Sequence, residues 1–347
     1  MTVRLKDIAR DLGVSVITVS KALRDHSDIS QETKARVLKR VKELNYRPNL
    51  AARALVTGRT YLMGFLVPDL LHTFFSEIVR GLSASLRNSG YTLVVTSSEQ
   101  DPKLERQAIE QLIARRVDLL LVASTQWTVE TFRRVEEAGI PYILIDRKFS
   151  GLAAHFVGVN DEEVGAIATR HLIDIGCKRI AHIGGTGLSP VVGRLEGYKR
   201  ALTKEGMTAD PNLILSTGRV EELGDEAGYE AAKKLLKLSP RPDGIFCYND
   251  PVAFGAIAAV LDAGLRIPED VAVAGCGNIL YDKFLRVPLT SVDQQSMLIG
   301  QKAAKLALHL LDVPGPLPPK NILLEPKLVI RESTVKGASR PMKASAR

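Results

Sequence analysis

Beyond residue 60 the chain alternates short apolar runs with longer segments of helical periodicity. The runs cover residues 63–67, 92–96, 118–122 and 142–145, and then 179–183, 213–215, 244–247 and 270–274. Strands that are apolar throughout, each followed by a helix, are typical of parallel sheets covered on both faces. The pattern therefore predicts two α/β lobes. Because no Pro/Gly/Ser-rich linker separates them, a short boundary near 159–161 and several chain crossings are expected.

The first sixty residues differ from the rest in charge. They hold 13 Lys or Arg against 6 Asp or Glu, whereas the remaining 287 residues hold 34 against 33. Nearly all of the formal net charge of +8 thus lies in a short N-terminal segment. Such a concentration of positive charge favours a polyanionic partner, and DNA in particular when it coincides with a helix-turn-helix pattern.

That pattern is present, because two short amphipathic helices are predicted within residues 5–23. Gly13 supplies the positive φ of the turn, and Ser15 is a good N-cap for a second helix running from about Val16 to Leu23. Val16 and Ile17 are left on its outer face, where contact with thymine methyl groups in the major groove would explain them. A third helix is predicted from Ser30, and its expected inner face consists of Val37, Leu38, Val41 and Leu44.

Residues 49–56 form a further helix-propensive stretch of about two turns, which is marginal alone in water. We interpret this stretch as a hinge that folds against DNA or a partner.

These segments resemble the lactose/galactose-repressor family of bacterial transcription regulators. The resemblance is carried in family order by Leu5-Lys-Asp-Ile-Ala9, Gly13-Val-Ser15, Thr18-Val-Ser20, Ser30-Gln-Glu-Thr33, Leu44-Asn-Tyr-Arg-Pro-Asn49 and Ala52-Arg-Ala-Leu55. It implies that Val16, Ile17 and Lys21 read bases and that Leu55 is a minor-groove wedge. Arg24 stands where the family often has Asn. The predicted DNA-binding residues are Ser15, Val16, Ile17, Thr18, Ser20, Lys21, Arg24, Asn49, Ala52, Arg53 and Leu55.

The α/β region resembles the periplasmic-binding-protein-like effector domain of the same family. The resemblance implies a ligand between the lobes, at the carboxyl ends of the strands. The predicted effector-binding residues are Asp69, His72, Phe74, Asp146, Arg147, Arg194, Asn249, Gly277 and Gln294. Carboxylate, guanidinium and amide groups of this kind suit a polyhydroxylated ligand. Asp250 is expected to cap the helix at Val252.

One departure from the family bears on the ligand. Where the family commonly has an aromatic residue followed by Asp, this chain has Cys276 and Gly277. With that carboxylate missing and Arg147 and Arg194 retained, a sugar acid or sugar phosphate is favoured over a neutral sugar, which stays the alternative.

The predicted organisation is a helix-turn-helix headpiece at 1–48, a hinge at 49–59, an effector domain at 60–333 and a disordered basic tail at 334–347. Lobe 1 is assigned to about 60–159 plus 291–318, and lobe 2 to about 160–290 plus 319–333.

Other functions are disfavoured by missing motifs. Gly184-Gly-Thr-Gly187 has neither the dinucleotide nor the Walker spacing, so a tight turn is preferred over a phosphate cradle. The six histidines show no paired metal-ligand spacing, and no cofactor is expected. No nucleophile elbow appears, so an enzyme is not expected. Three scattered cysteines and no export signal indicate a reduced, cytoplasmic protein rather than a periplasmic solute-binding protein.

The sequence therefore predicts a DNA-binding transcription regulator, preferably a repressor, controlled by a sugar, sugar acid or sugar phosphate. A homodimer on a near-palindromic operator is expected. Whether the effector releases the protein from DNA or acts as a corepressor is left open, as is activation.

Overall fold

The computed structural model describes residues 3–23, 25–46, 54, 57–126, 128–218 and 224–335. They belong to two units that divide after Thr60. Most of the predicted hinge, 49–53 and 55–56, lies outside the described residues, as do Arg24 and residues 336–347 of the predicted tail.

The smaller unit contains helices α1 (Leu5–Leu12), α2 (Val16–Leu23) and α3 (Gln31–Glu43). Its core is formed by Ile8, Val19 and Val37, each with no exposed surface. Gly13 ends α1 with φ of 66°, as predicted. The prediction for Leu38 was wrong, because this side chain is 53% exposed. Leu38 lies about 100° around the helix from Val37, on the side that is turned toward solvent.

The larger unit alternates strands and helices along the chain. Its strands are β1 (Leu62–Val67), β2 (Thr92–Ser97), β3 (Leu119–Val122), β4 (Tyr142–Ile145), β5 (His155–Val159), β6 (Ile180–Gly184), β7 (Ile214–Ser216), β8 (Gly244–Cys247), β9 (Ala272–Cys276), β10 (Thr290–Asp293), β11 (Asn321–Leu324) and β12 (Lys327–Val329). Its helices are α4 (Thr73–Leu86), α5 (Pro102–Ala114), α6 (Glu130–Glu137), α7 (Asp161–Asp174), α8 (Ser189–Lys204), α9 (Gly224–Leu235), α10 (Asp250–Asp262) and α11 (Ser296–Asp312).

Within the described ranges the strands form two six-stranded sheets, one in each lobe. Lobe 1 has the order β2-β1-β3-β4-β5-β11, with parallel neighbours throughout. Lobe 2 has the order β7-β6-β8-β9-β10-β12, in which β12 runs antiparallel to β10. In lobe 1, α4 and α11 pack on one face of the sheet and α5 and α6 on the other, and α7 to α10 cover lobe 2 in the same way. The fold class is the predicted one.

The chain crosses between the lobes three times in the described part, and two crossings lie a few residues from the predicted positions. Strand β10 still belongs to lobe 2, so the second crossing follows Asp293 rather than residue 290. Strand β11 belongs to lobe 1, so the third crossing lies between Leu324 and Lys327 rather than at 318. The Pro-rich segment at 313–319 therefore connects two elements of lobe 1.

The folded part of lobe 2 extends past the predicted start of the tail. Thr334 is 1% exposed, and its hydroxyl lies 2.7 Å from Thr290 Oγ1 and 2.8 Å from His171 Nε2. Thr334 is thus part of the packed lobe. No described helix is both long and apolar enough to cross a membrane.

Candidate functional site

Ten side chains from both lobes line one small cavity, which we call the cleft cluster. Its members are His72, Phe74, Phe75, Asp146, Arg147, Arg194, Tyr248, Asn249, Cys276 and Gln294. Most follow the carboxyl ends of parallel strands: β1 and β4 in lobe 1, and β8, β9 and β10 in lobe 2. This is the edge where open α/β sheets bind ligands. The free space among these side chains is only about 20 Å³, so they lie close together in this structure.

Arg194 is the cationic group that lobe 2 contributes to the cluster. It is 3% exposed, its Nε donates to Asp161 Oδ1 at 3.0 Å, and its Nη1 donates to the Tyr248 carbonyl oxygen at 2.8 Å. The guanidinium carbon also lies 4.6 Å from the centre of the Tyr248 ring. Burial disfavours its charged form, but the nearby Cys276 and Asp161 raise the pKa of Arg194 above its ordinary value. Arg194 therefore stays charged.

Arg147 is the corresponding group of lobe 1, and it is 2% exposed. Its Nη1 donates to the Ser124 carbonyl oxygen at 3.1 Å, and its Nε lies 3.9 Å from Asp146 Oδ2. Asp146 has φ of 63°, in the left-handed region that only Asn, Asp and Gly adopt readily. At this turn of the backbone two adjacent residues, Asp146 and Arg147, line one cavity.

A buried carboxylate outside the cavity holds the loop that binds Arg147. Glu105 of α5 has no exposed surface, and its Oε1 accepts from Ser124 Oγ at 2.5 Å. Its Oε2 accepts from the backbone N–H and the hydroxyl of Thr125, at 2.5 and 2.7 Å. The loop after β3 is therefore fixed from beneath, with the Ser124 carbonyl turned toward Arg147.

Seven of the predicted effector-binding residues lie in the cleft cluster, and Asp69 and Gly277 do not. Asp69 Oδ1 accepts from the Leu71 N–H at 2.8 Å, so this carboxylate closes a turn after β1. At Gly277, φ is 139° and a Cβ would lie 2.7 Å from Asp250 Oδ2, so a side chain there would meet a buried carboxylate. The expected role of Gly277 in the cleft is corrected accordingly.

One further prediction in lobe 2 was wrong. Asn249, rather than Asp250, caps α10, because its Oδ1 accepts from the Val252 N–H at 3.0 Å. Asp250 is fully buried and accepts from Ser291 Oγ at 2.6 Å. Arg194 lies in the second turn of α8.

The members that the prediction missed are Phe75, Tyr248 and Cys276. Each is adjacent in sequence to a predicted residue, which for Cys276 is Gly277. Phe75 lies beside Phe74 in the first turn of α4, whereas Tyr248 follows β8 and Cys276 ends β9. This position at a strand end is the signal that would have found the last two. The remaining buried polar groups have structural roles. His182 stacks between Tyr198 and Phe246, and burial lowers its pKa to about 4, so it is neutral. All three cysteines are free and buried.

In the headpiece, the outer face of α2 carries the predicted base-reading residues. Val16 is 44% exposed and Ile17 is 67% exposed, and Ser15 Oγ accepts from the Thr18 N–H at 3.0 Å as the predicted N-cap. Ser20 and Lys21 are half-buried, and the Lys21 ammonium group forms an ion pair with Asp28. The predicted contacts Arg24, Asn49, Ala52, Arg53 and Leu55 lie outside the described residues.

Comparison with known proteins agrees with both halves of this organisation. Residues 4–49 match the family described as "Bacterial regulatory proteins, lacI family", and residues 169–334 match the periplasmic binding protein-like domain. The HTH-type transcriptional repressor PurR of Vibrio atlanticus (strain LGP32) is 34% identical over 307 residues, which cover 88% of this chain and 91% of that protein.

Two solved structures are similar over almost the whole chain. The Lac repressor dimer bound to operator and the anti-inducer ONPF has 25% identity and a TM-score of 0.82, with 96% of this chain and 100% of that chain covered. The transcriptional regulator CelR in complex with cellobiose has 28% identity and a TM-score of 0.73, with 95% and 99% covered.

A helix-turn-helix unit joined to a two-lobed α/β domain with a cleft between the lobes defines a class of ligand-responsive bacterial regulators. This chain belongs to the lacI family of bacterial regulatory proteins. It is a DNA-binding transcription repressor, and its relatives are regulators rather than enzymes.

Proposed function

We propose that this repressor is controlled by a small polyhydroxylated metabolite that binds at the cleft cluster. The observation that carries the proposal is the convergence of Arg147 and Arg194, from opposite lobes, on one cavity that also presents amide groups and aromatic rings. Guanidinium and amide groups bind hydroxyls, and aromatic faces pack on sugar rings. CelR, which is similar over its whole length, is known in complex with cellobiose.

The charges in the cluster favour a neutral ligand over the acid that the sequence suggested. Arg147 has Asp146 within 3.9 Å, and Arg194 donates to Asp161 at 3.0 Å. Each guanidinium thus has a carboxylate beside it, which offsets the positive excess expected from the sequence. A side chain at Gly277 would meet the carboxylate of Asp250, so this position has no room for the Asp that the family commonly has there. A neutral sugar or polyol is therefore our preferred effector class.

Control of DNA binding follows from where the cluster lies. Its members come from both lobes, and Gln294 stands on the crossing between β10 and α11. A ligand that contacts both lobes stabilises one lobe arrangement over another, and the operator affinity changes by the same coupling free energy. Because the cavity is small, a sugar enters only after the lobes separate or side chains move.

We further propose that two copies bind a near-palindromic operator, each through Val16, Ile17 and Lys21. The Lac repressor is known as a dimer bound to operator. On this chain, Tyr281 and Phe284 are 58% and 70% exposed and lie three residues apart on a short 3-10 helix of lobe 2. Exposed aromatic side chains of this kind suit a contact with a second copy.

A ligand screen tests the proposal. The full chain is mixed with neutral monosaccharides, their acids and their phosphates, and both thermal unfolding and affinity for a selected operator are measured. We expect a neutral sugar to raise the melting temperature and to shift operator affinity. Arg194→Ala should lose that response while keeping operator binding. If ligands stabilise only when acidic or phosphorylated, the preference for a neutral effector is wrong. If no ligand alters operator affinity, control by the cleft is wrong.

A further inference from the structure

A second cavity adjoins the cleft cluster and is also shaped by both lobes. It measures about 550 Å³, and Arg147 lines both cavities, so they adjoin at this residue. Val159, Asn160 and Asp161 at the first crossing, and Leu323 near the third, form part of its wall. We call this space the hinge-side chamber.

Exposed apolar side chains face the chamber from opposite lobes. Val192 of α8 in lobe 2 is 52% exposed, and Leu323 of β11 in lobe 1 is 48% exposed. Phe149 and Leu188, both half-buried, complete these apolar walls. An apolar group bound between them would remove this surface from water, which is the main favourable term in binding at such a site.

Two polar side chains of the chamber, Gln126 and Ser189, already have partners within the protein. Gln126 Nε2 donates to the Pro102 carbonyl oxygen at 2.7 Å, and its Oε1 accepts from Arg106 at 3.3 Å. Ser189 Oγ accepts from the Lys148 N–H at 2.9 Å, a bond that joins the two lobes. A second hydroxylated group bound here would compete with these bonds.

The charges around the chamber are balanced as well. Arg147 and Lys148 contribute positive charge, and Asp161 and Glu162 contribute negative charge. An ionic substituent would therefore gain little, and the apolar walls are the part of the chamber that a ligand can use.

We propose that the hinge-side chamber binds an apolar, aromatic substituent of the effector, whose hydroxylated ring lies at the cleft cluster. The effector class is thus a glycoside of an aromatic aglycone rather than a free sugar. This inference rests on the proposed function, since it assumes that the cleft cluster binds the hydroxylated part. The substituent lies against two crossings between the lobes, so it also contributes to the lobe arrangement.

Calorimetry on the full-length protein tests the inference with glucose, galactose and mannose, each compared with its phenyl α- and β-glycosides. We expect at least one phenyl glycoside to bind about tenfold more tightly than its parent sugar. Val192→Trp fills the chamber and should remove this advantage, while the affinity for the parent sugar changes by less than about twofold. Leu323→Trp fills the chamber from the other lobe and should have the same effect. Ile330→Trp, at a 54% exposed position outside the chamber, is the matched control.

The outcomes separate this inference from the proposed function. If sugars bind but their phenyl glycosides bind no more tightly, the chamber does not take an aromatic group and the inference fails alone. The same holds if the advantage survives in both tryptophan variants. If neither sugars nor glycosides bind, the ligand class proposed for the cleft cluster fails, and the inference fails with it.

Discussion

At the scale of single residues, the position of Arg147 depends on a side chain that does not line the cleft cavity. Glu105 accepts three hydrogen bonds from Ser124 and Thr125, and the Ser124 carbonyl then accepts from Arg147 Nη1. A buried carboxylate with every bond in place fixes its loop strongly, because leaving its donors unsatisfied would be costly. Glu105 is thus a positioning residue for Arg147 in the proposed effector site.

Glu105→Gln should weaken binding of the tightest sugar found in the screen, because the amide cannot accept all three bonds and the Ser124 carbonyl shifts. If Glu105 acts through Arg147, its effect and that of Arg147→Ala should be non-additive, with a coupling energy of roughly 1 kcal/mol in a double-mutant cycle. Calorimetry measures each affinity, and operator binding should be unchanged. Additive effects would show that Glu105 supports only the fold of lobe 1.

A second residue-scale feature is the buried carboxyl pair in lobe 2. Burial and then the neighbouring Asp250 raise the pKa of Asp282 to about 9, and Arg331 Nη1 lies 3.8 Å from its Oδ2. In the unfolded chain the same carboxyl has its ordinary pKa of 3.8. The folded state therefore holds a proton that the unfolded state releases above that pH, and stability falls as the pH rises.

Because of Asp282, we expect the free energy of unfolding of the wild-type protein to decline between about pH 4 and pH 9. Asp282→Asn keeps a neutral group in place and should flatten that decline, as measured by urea unfolding at several pH values. Glu269→Gln, at an exposed position of the same lobe, is the control and should leave the pH dependence as in the wild type. An equal slope in Asp282→Asn and wild type would mean that Asp282 is ionised in the fold.

Some site residues were predictable and others were not, for local physical reasons. Arg147 and Asn249 lie two residues after the ends of apolar runs, so the sequence predicted their positions at strand ends. Asp69 also follows such a run, but a short carboxylate there bonds its own turn, and this choice depends on backbone geometry. Gly277 was wrongly assigned to the cleft because its φ is positive. A side chain at this position would point toward Asp250, not in the direction that alternation along the strand suggests.

At the scale of elements, the sequence is most informative where a signal is repeated. Apolar runs predicted β1, β3 and β8, and the predicted N-cap Ser15 accepts the expected backbone N–H. Strands β5, β10, β11 and β12 were not among the predicted runs, and β11 and β12 have only three or four mostly exposed or half-buried residues, which carry no periodic signal. Their partners in other parts of the chain define them, which is why two lobe crossings were misplaced.

The outer face of α2 gives an element-scale prediction. Ile17→Ala should relax the preference for thymine at one half-site position, and Lys21→Ala should cost roughly 1–3 kcal/mol of discrimination if it contacts guanine. The ion pair between Lys21 and Asp28 is exposed, so it is worth little and does not prevent this contact. Selection from randomised half-sites measures both effects. Leu38→Ala, which removes an exposed leucine from α3, should leave the base preference unaltered. If this variant also changed the base preference, the effects of the α2 variants would reflect a general weakening of DNA binding.

At the scale of the whole molecule, the two units differ in net charge and have separate hydrophobic cores. The N-terminal sixty residues carry a net charge of +7, and the remaining residues are nearly neutral. The smaller unit has its own core around Ile8, Val19 and Val37, and the lobes have separate cores of their own. Electrostatic attraction to DNA is thus confined to one unit, and ligand binding is proposed for the other.

This division predicts how the two activities respond to salt and to truncation. If 6–10 phosphates are contacted, raising the salt from about 50 to 200 mM should lower operator affinity by roughly 10³-fold or more, because basic residues release condensed counterions. Sugar affinity should change by less than about twofold over the same range, since exposed charges do not dominate the cleft. A chain of residues 61–347 should keep sugar binding and lose operator binding in gel-shift assays. Salt-independent operator affinity, or loss of sugar binding on truncation, would contradict this division of labour.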